Sequence, residues 1–420
     1  MAVERVLSFP DALGVVLEHA NVLPPAVGVE AVDLQRARGR VLAQALFADR
    51  DQPPFDRSTR DGYAVRAEDL TASALSPLRL VGSVRAGEAW RGKAIQEGEA
   101  IEIMTGAPLP AGADAVLMLE HANVVDDTLT MSAGRSLNVG ENVVPRGSEA
   151  RSGVQVLPAG RVVQAAEIAV AASCGATALA VFVQPRVAIL ATGDELVHVE
   201  ETPEAHQIRN SNTHSLAALV AAEGGEPVTL DIARDTLADT VQRIAKGADC
   251  ELMLLSGGVS MGKFDVVEQA LASRGAEFFF TGALIQPGKP IVFGRMPRSV
   301  ANDASKERWT YFFGLPGNPI STQVCFHLFV TPLLRAMAGR SDLAPRFVEA
   351  TLAESVKGPA PVTRFLPAEL SGAWDGVKVR VVGWQGSGDV AANARGNCYA
   401  VLPAGVAGFA AGETVRVLLR

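Results

Sequence analysis

The stretch Leu254-Leu-Ser-Gly-Gly-Val-Ser-Met-Gly-Lys-Phe-Asp265 carries the residue types with which a chain grips an anion. Leu252 to Leu255 is a short apolar run of the kind found in strands covered on both faces. Gly257, Gly258 and Gly262 then let backbone amides approach a ligand closely. Val266 to Leu271 reads as the start of a helix, whose free N–H groups and dipole favour negative charge. Asp265 admits two readings: an N-cap that closes a tight βα turn, or a carboxylate that holds a cation beside a bound phosphate.

Further polar loops add to this stretch. Asp51-Gln-Pro-Pro-Phe-Asp-Arg-Ser-Thr-Arg-Asp-Gly-Tyr-Ala64 combines paired prolines, hydroxyls and carboxylates at neither helix nor strand spacing, as a functional loop or a capped linker would. Met104-Thr-Gly-Ala-Pro-Leu-Pro-Ala-Gly-Ala-Asp114 presents the hydroxyl of Thr105, and Gly140 to Glu149 adds Arg146 and Glu149. Thr192-Gly-Asp-Glu-Leu196 brings Glu195, and Ala233 to Asp235 brings Asp235. Pro287-Gly-Lys-Pro290 supplies Lys289. In Gly314-Leu-Pro-Gly-Asn-Pro319, Asn318 has the place of a helix cap and Pro319 that of the first helical residue, so Pro316 and Pro319 are equally explained by a rigid βα turn. Ser387 lies in Gly383-Trp-Gln-Gly-Ser-Gly388, which a plain hairpin explains nearly as well.

Amide-rich turns and cations suit phosphate, and the carboxylates Asp61, Glu195, Asp235 and Asp265 suit a hard metal or a heterocycle with N–H donors. The reaction class these residues indicate is phosphoryl or nucleotidyl chemistry with an ion such as Mg²⁺. There is no Gly-x-x-x-x-Gly-Lys-Ser/Thr, which removes an ordinary P-loop. Cys174, Cys250, Cys325 and Cys398 are far apart and the histidines are scattered, so neither a zinc site nor a redox dithiol is signalled.

The elements that must position these residues follow from periodicity. Residues 11 to 21 and 33 to 48 have helical spacing, so two helices are expected to open the chain. Short alternating runs at Leu78 to Val84, Ala100 to Met104, Ala115 to Leu119 and Thr128 to Met131 predict a small β-rich domain. Helical spacing returns from Arg161 to Cys174, so the flanks of the insert are expected to form one discontinuous domain. After Pro185 strands and helices alternate: strand Val187 to Ala191, a helix capped near Asn210, strand Val228 to Ile232, helix Thr236 to Ala245, strand Leu252 to Leu255 and helix Val266 to Ser273. This predicts a parallel sheet with crossover helices and a ligand edge at the carboxyl ends of its strands. From Arg346 onward, runs such as Val377 to Val382 and Thr414 to Leu419 predict a second β-rich domain.

Size and composition agree with a chain of several domains: 420 residues, 48% hydrophobic and 20% charged. A net charge of −8 argues against a general nucleic-acid binder. Met1 to Pro10 lacks a signal-peptide pattern and no apolar run reaches about 18 residues, so no membrane span is expected and the default compartment is the cytoplasm.

Pro53-Pro-Phe-Asp-Arg-Ser-Thr-Arg-Asp-Gly-Tyr-Ala64, Met104-Thr-Gly-Ala-Pro108, Thr192-Gly-Asp-Glu-Leu196, Ser256-Gly-Gly-Val-Ser-Met-Gly262 and Gly314-Leu-Pro-Gly-Asn-Pro319 together resemble the molybdopterin molybdenumtransferases, or molybdenum insertases. That family includes the C-terminal domain of gephyrin, and the likeness runs over essentially the whole chain. It implies a multidomain α/β plus β fold. Residues 185–335 would form a central parallel three-layer α/β domain that binds molybdopterin. Residues 1–50 with 141–184 would form a discontinuous elongated helical/β domain, 51–140 a β-rich insert, and 336–420 a C-terminal β-barrel-like domain. The resemblance also implies a homodimer with a shared cleft. Its substrates would be molybdate and adenylylated molybdopterin, and AMP would leave in a Mg²⁺-dependent step.

Carried over by motif, Asp61, Glu195, Asp235 and Asp265 would be catalytic, with Glu195 and Asp265 on the metal. Thr105, Arg146, Glu149, Gly257, Gly258, Ser260, Lys289, Pro316, Pro319 and Ser387 would bind substrate, those of residues 51–149 from the other subunit. Molybdopterin adenylyltransferase and molybdoenzymes would be protein partners. Two departures stand out: the family often has Asp at Glu149, and Lys at Gln286. The adenylyltransferase itself resembles residues 185 to 335 only, and a gephyrin-like scaffold without insertase activity is the alternative of a different class.

Overall fold

The computed structural model describes residues 5–25, 28–71, 74–258, 266–298, 308–358, 361–374 and 376–420. They fall into two compact units. One comprises Met1–Ala43, Gly160–Gln164 and Ala178–Arg420, the other Gln44–Ala159 and Ala165–Thr177.

The first unit is built on a six-stranded sheet whose order is 226–229, 186–191, 252–256, 309–315, 292–297, 277–280. The first four of these run parallel. The last two are additions that the strand and helix alternation did not foretell, with 292–297 antiparallel to both of its neighbours. Successive residues point to opposite faces. Val187, Ile189, Leu252, Leu254 and Phe313 therefore join one buried cluster with Leu216 and Val220 of the helix Ser211–Ala222 and with Ile320, Val324 and Leu333. Ala188, Leu190, Met253, Leu255 and Phe312 join another with Ile244, Val267 and Ala270. The result is three layers, and it explains why Leu252 to Leu255 is apolar without alternation.

Local chemistry starts and ends the helices. Asn210 caps Ser211–Ala222 by accepting from the Thr213 N–H at 3.2 Å. Thr236 caps Leu237–Gly247 by accepting from the Asp239 N–H at 3.4 Å. The opening helix Phe9–Val22 is capped by Ser8, and its buried Ala12, Val16 and Ala20, one helical turn apart, pack into the first of the two clusters.

The second expected opening helix, 33 to 48, does not form. Val29–Asp33 is a strand antiparallel to Ala178–Phe182. Gly39 then turns the chain at φ +81°, Val41 and Leu42 bridge Val162 and Val181, and Leu46–Phe47 pairs with Gln155–Leu157. The helical spacing was real, but Val41 and Leu42 are buried by partners more than a hundred residues away, an outcome that local periodicity cannot register. The strand expected at Val228 to Ile232 runs Glu226–Thr229. Gly383 to Gly388 is not a hairpin but leads into the helix Val390–Arg395, capped by Asp389.

The C-terminal strands Phe347–Leu352, Thr363–Ala373, Gly376–Val381, Cys398–Leu402 and Thr414–Leu419 close into a barrel, because Thr363–Ala373 pairs with both Gly376–Val381 and Cys398–Leu402. Closure removes the exposed edges. The second unit carries a six-stranded sheet of order 115–118, 62–65, 99–103, 78–84, 128–131, 122–125, with Val65, Leu78, Ala100, Leu117 and Leu129 in its core. Among the described residues, no helix is long and apolar enough to cross a membrane.

His327 lies in the π-helical segment Phe326–Val330, between Pro319–Cys325 and Thr331–Met337. It is 6% exposed and, among the described residues, its Nε2 has no hydrogen-bond partner. Burial, and then the charges of Arg420 and Arg335, push its pKa down to about 4 from 6.5. Between those values the unfolded chain binds a proton that the folded chain refuses. The stability involved is fully present above pH 6.5 and is lost as pH falls toward 4, by ~3 kcal/mol at most. Thermal melts from pH 7.5 to 4.5 should therefore fall less steeply for His327→Leu than for the native chain. Identical slopes would show that another group controls this range.

Candidate active site

The chain runs from strand Arg186–Ala191 out to Glu226–Thr229 on one side and returns to Leu252–Ser256 on the other. Two neighbouring loops therefore diverge at the carboxyl edge of the sheet, where an α/β sheet opens its ligand crevice. A cleft of about 650 Å³ lies there, lined among others by Thr192, Glu195, Asp235, Gly257, Pro316 and Pro319.

Backbone bonds hold its walls together. The N–H of Thr192 donates to the Ser256 carbonyl at 3.0 Å, that of Gly193 to Ala233 at 3.2 Å, and that of Gly257 to Leu315 at 3.1 Å. Gly257 and Gly258 sit at φ +92° and +64°. A Cβ on Gly257 would lie 2.5 Å from the Thr192 carbonyl oxygen, and one on Gly258 would lie 2.7 Å from Thr192 Oγ1. The turn thus needs glycine for conformation and for space together. Ser260 and Asp265, which the sequence reading placed in this turn, lie outside the described residues.

Glu195 is exposed on the cleft and its carboxylate folds over Gly193, where a Cβ would come within 2.6 Å of Oε2. Asp235 and Asp194 brace each other. Asp194 N–H donates to Asp235 Oδ2, and Asp235 N–H donates to Asp194 Oδ1, both at 3.4 Å. Asp194 was not among the residues expected here, although its place beside Glu195 in Thr-Gly-Asp-Glu was a signal. Opposite them, Pro316 and Pro319 line the cleft, and the Pro316 carbonyl accepts from Thr322 Oγ1 at 2.5 Å. Asn318 occupies the cap position, but its side chain makes no capping bond.

Asn212 was also missed. Its Nδ2 donates to Ser256 Oγ at 2.9 Å and to the Gly317 carbonyl at 2.8 Å. Asn210-Ser-Asn marked a helix start in the sequence and nothing more. Ser387 is at the rim: its carbonyl accepts from the Ile320 N–H at 3.0 Å, and its neighbour Gly388 lines the cleft. Lys289 is exposed beside Pro290, which lines the cleft, and Gln286 stands in strand register with Arg364.

The second unit gathers the other expected residues in part. Asp61 Oδ1 accepts from the N–H of Thr105 at 2.7 Å and from its hydroxyl at 2.8 Å. These two bonds, the backbone one first, hold the Asp61 carboxyl below its usual pKa. Arg146 instead pairs with Asp51 at 2.8 Å, and Glu149 accepts from Arg57 at 2.7 Å. Among the described residues, no three His, Cys, Asp or Glu side chains converge as a metal group.

Residues 7–175 match the family model of the MoeA N-terminal region (domains I and II), 188–336 that of a probable molybdopterin binding domain, and 349–419 that of the MoeA C-terminal region (domain IV). A molybdopterin molybdenumtransferase of Staphylococcus aureus (strain Mu50) is 34% identical over 425 residues, covering 100% of this chain and 97% of its own. The chain belongs to the molybdopterin molybdenumtransferase family. The Nostoc sp. (strain PCC 7120) molybdopterin molybdenumtransferase is 33% identical over 98% of this chain and 93% of its own. A solved structure, a molybdopterin biosynthesis MoeA protein of Pyrococcus horikoshii, superposes with a TM-score of 0.73 at 30% identity, covering 99% of each chain. The cleft is lined mainly by the probable molybdopterin binding domain, with Gly388 and Val390 contributed by the C-terminal region, and Asp61, Thr105, Arg146 and Glu149 fall within the N-terminal region.

Proposed function

We propose that this chain inserts molybdate into adenylylated molybdopterin and releases AMP in a Mg²⁺-dependent step, yielding molybdenum-molybdopterin. This makes it a transferase of molybdenum cofactor biosynthesis. The observation that carries the reading is the pairing of unlike groups in one cleft: a glycine turn at positive φ and the carboxylates of Glu195 and Asp235 line the same space. Amides in a glycine turn favour an anion, and carboxylates beside it need a cation to coexist with that anion.

Glu195 and Asp235 supply hard oxygen donors at the cleft and so fit Mg²⁺ in kind, with Asp265 as the further ligand that the motif implies. The ion would neutralise charge on the phosphate oxygens of the substrate. Gly257 and Gly258 line the cleft, and the phosphate lies against their backbone. Pro316 and Pro319 keep the opposite wall stiff, and Lys289 and Ser387 act at the rim. The chain divides into the four domains 1–50 with 141–184, 51–140, 185–335 and 336–420, and it works as a homodimer. The Asp61–Thr105 pair, with Arg146 and Glu149, completes the cleft of the partner subunit.

Incubation with adenylylated molybdopterin, molybdate and Mg²⁺ tests the reaction. AMP should appear in step with bound molybdenum, and an intact adenylate after prolonged incubation would leave a scaffold role instead. The shared cleft has its own test. Mixing inactive Asp61→Ala and Asp235→Ala chains should restore about a quarter of native activity, since random pairing leaves half the dimers with one intact cleft of two. No recovery after verified exchange of subunits would exclude a site shared between them.

A further inference from the structure

Asn212, on the first turn of the helix Ser211–Ala222, reaches across the floor of the cleft. Its Nδ2 donates to Ser256 Oγ at 2.9 Å and to the Gly317 carbonyl at 2.8 Å, with Thr322 Oγ1 at 3.4 Å. These partners stand 44, 105 and 110 residues away in sequence. An amide nitrogen has two protons, so the two short bonds account for both. Ser256 is the last residue of the strand that enters the glycine turn, and Gly317 lies between the two cleft prolines. One side chain therefore ties the phosphate turn to the opposite wall. The walls nearly touch at that point, for a Cβ on Gly317 would lie 3.6 Å from the Cα of Gly257.

Asn212 Oδ1 is buried and, among the described residues, has no hydrogen-bond partner. The reverse placement of the amide would set an oxygen against the Gly317 carbonyl, so the orientation follows from the partners. A side chain that leaves its own oxygen unpaired is a poor choice for stability alone. We propose that Asn212 is a positioning residue: it fixes the separation of the Gly257-Gly258 turn from the Pro316–Pro319 loop, and with it the placement of the substrate's phosphates. The inference rests on the reaction proposed above.

The test compares Asn212→Ala, Asn212→Asp and Ser256→Ala in the full chain. Misplaced groups slow the chemical step more than they weaken binding. Asn212→Ala should lower kcat for AMP release about 30-fold while KM changes less than about threefold. Asn212→Asp keeps the shape but turns an acceptor toward the Gly317 carbonyl, so it should lose as much as the alanine variant. Ser256→Ala, which removes one of the two principal partners, should lose less than either. Independently of the reaction, amide hydrogen exchange should quicken within 252–258 and 314–320 in both Asn212 variants and stay unchanged in the barrel.

Native kcat in Asn212→Asp, a loss confined to KM, or unaltered exchange at both walls would overturn the proposal. If the native chain itself releases no AMP, the proposed function fails, and the exchange measurement alone decides whether Asn212 braces the cleft.

Discussion

Gly257→Ala is expected to cost about 2–5 kcal/mol of stability and at least a hundredfold in AMP release. Gly257 sits at φ +92°, where an L-residue pays about 1–2 kcal/mol. Its new methyl group would lie 2.5 Å from the Thr192 carbonyl, an overlap that adds about 1–3 kcal/mol once the loops shift to relieve it. Relief can come only by moving Thr192 or the glycine turn, and both line the cleft. Gly87→Ala separates the two causes. Gly87 has nearly the same backbone, φ +86°, but nothing lies within 4 Å of the added Cβ. That variant should pay the conformational cost alone and keep its activity. Chemical denaturation and AMP release on both variants provide the comparison, and a Gly257→Ala chain as mild as Gly87→Ala would mean that the turn is not held against Thr192.

Glu195→Gln and Asp235→Asn should each lower AMP release by about a hundredfold to a thousandfold, as expected when a charged group acting at the reacting phosphates is neutralised. Both side chains are exposed, so melting temperatures should barely move. If the two carboxylates share one Mg²⁺, the double variant should lose little more than the worse single one, because groups that act as a unit do not add. The Mg²⁺ concentration for half-maximal rate should also rise more than about tenfold in each single variant. Activity above half of native in either variant, with an unchanged Mg²⁺ dependence, would remove that carboxylate from the reaction.

Features whose cause is local were legible in the chain itself. The helix Val266–Ser273 and the strands Leu78–Val84, Thr128–Met131 and Thr414–Leu419 fall where apolar spacing and flanking turn residues placed them. The glycine turn was legible for the same reason, since positive φ and close approach are demands made on single residues. The gathering of Glu195, Asp235, Pro316 and Pro319 into one cleft followed from where a parallel sheet opens, once strands and helices were seen to alternate.

What escaped depends on partners distant along the chain. Residues 33 to 48 had helical spacing, yet Val41 found Val162 and Leu42 found Val181. Asp194 matters through Asp235 and Asn212 through Gly317, pairings that no spacing within either segment encodes. Asp61 and Thr105 were both singled out, but their direct hydrogen bonds became visible only when the two loops were folded together.

The central claim is that the carboxyl edge of the parallel sheet holds the phosphates of an adenylylated pterin between the Gly257-Gly258 turn and the Pro316–Pro319 loop. A crystal structure with AMP and molybdate bound locates the phosphorus atom directly. The account predicts AMP phosphate density against Gly257 and Gly258, with Glu195 and Asp235 beside it. Well-ordered AMP elsewhere on the chain, with this cleft holding only solvent, would contradict it.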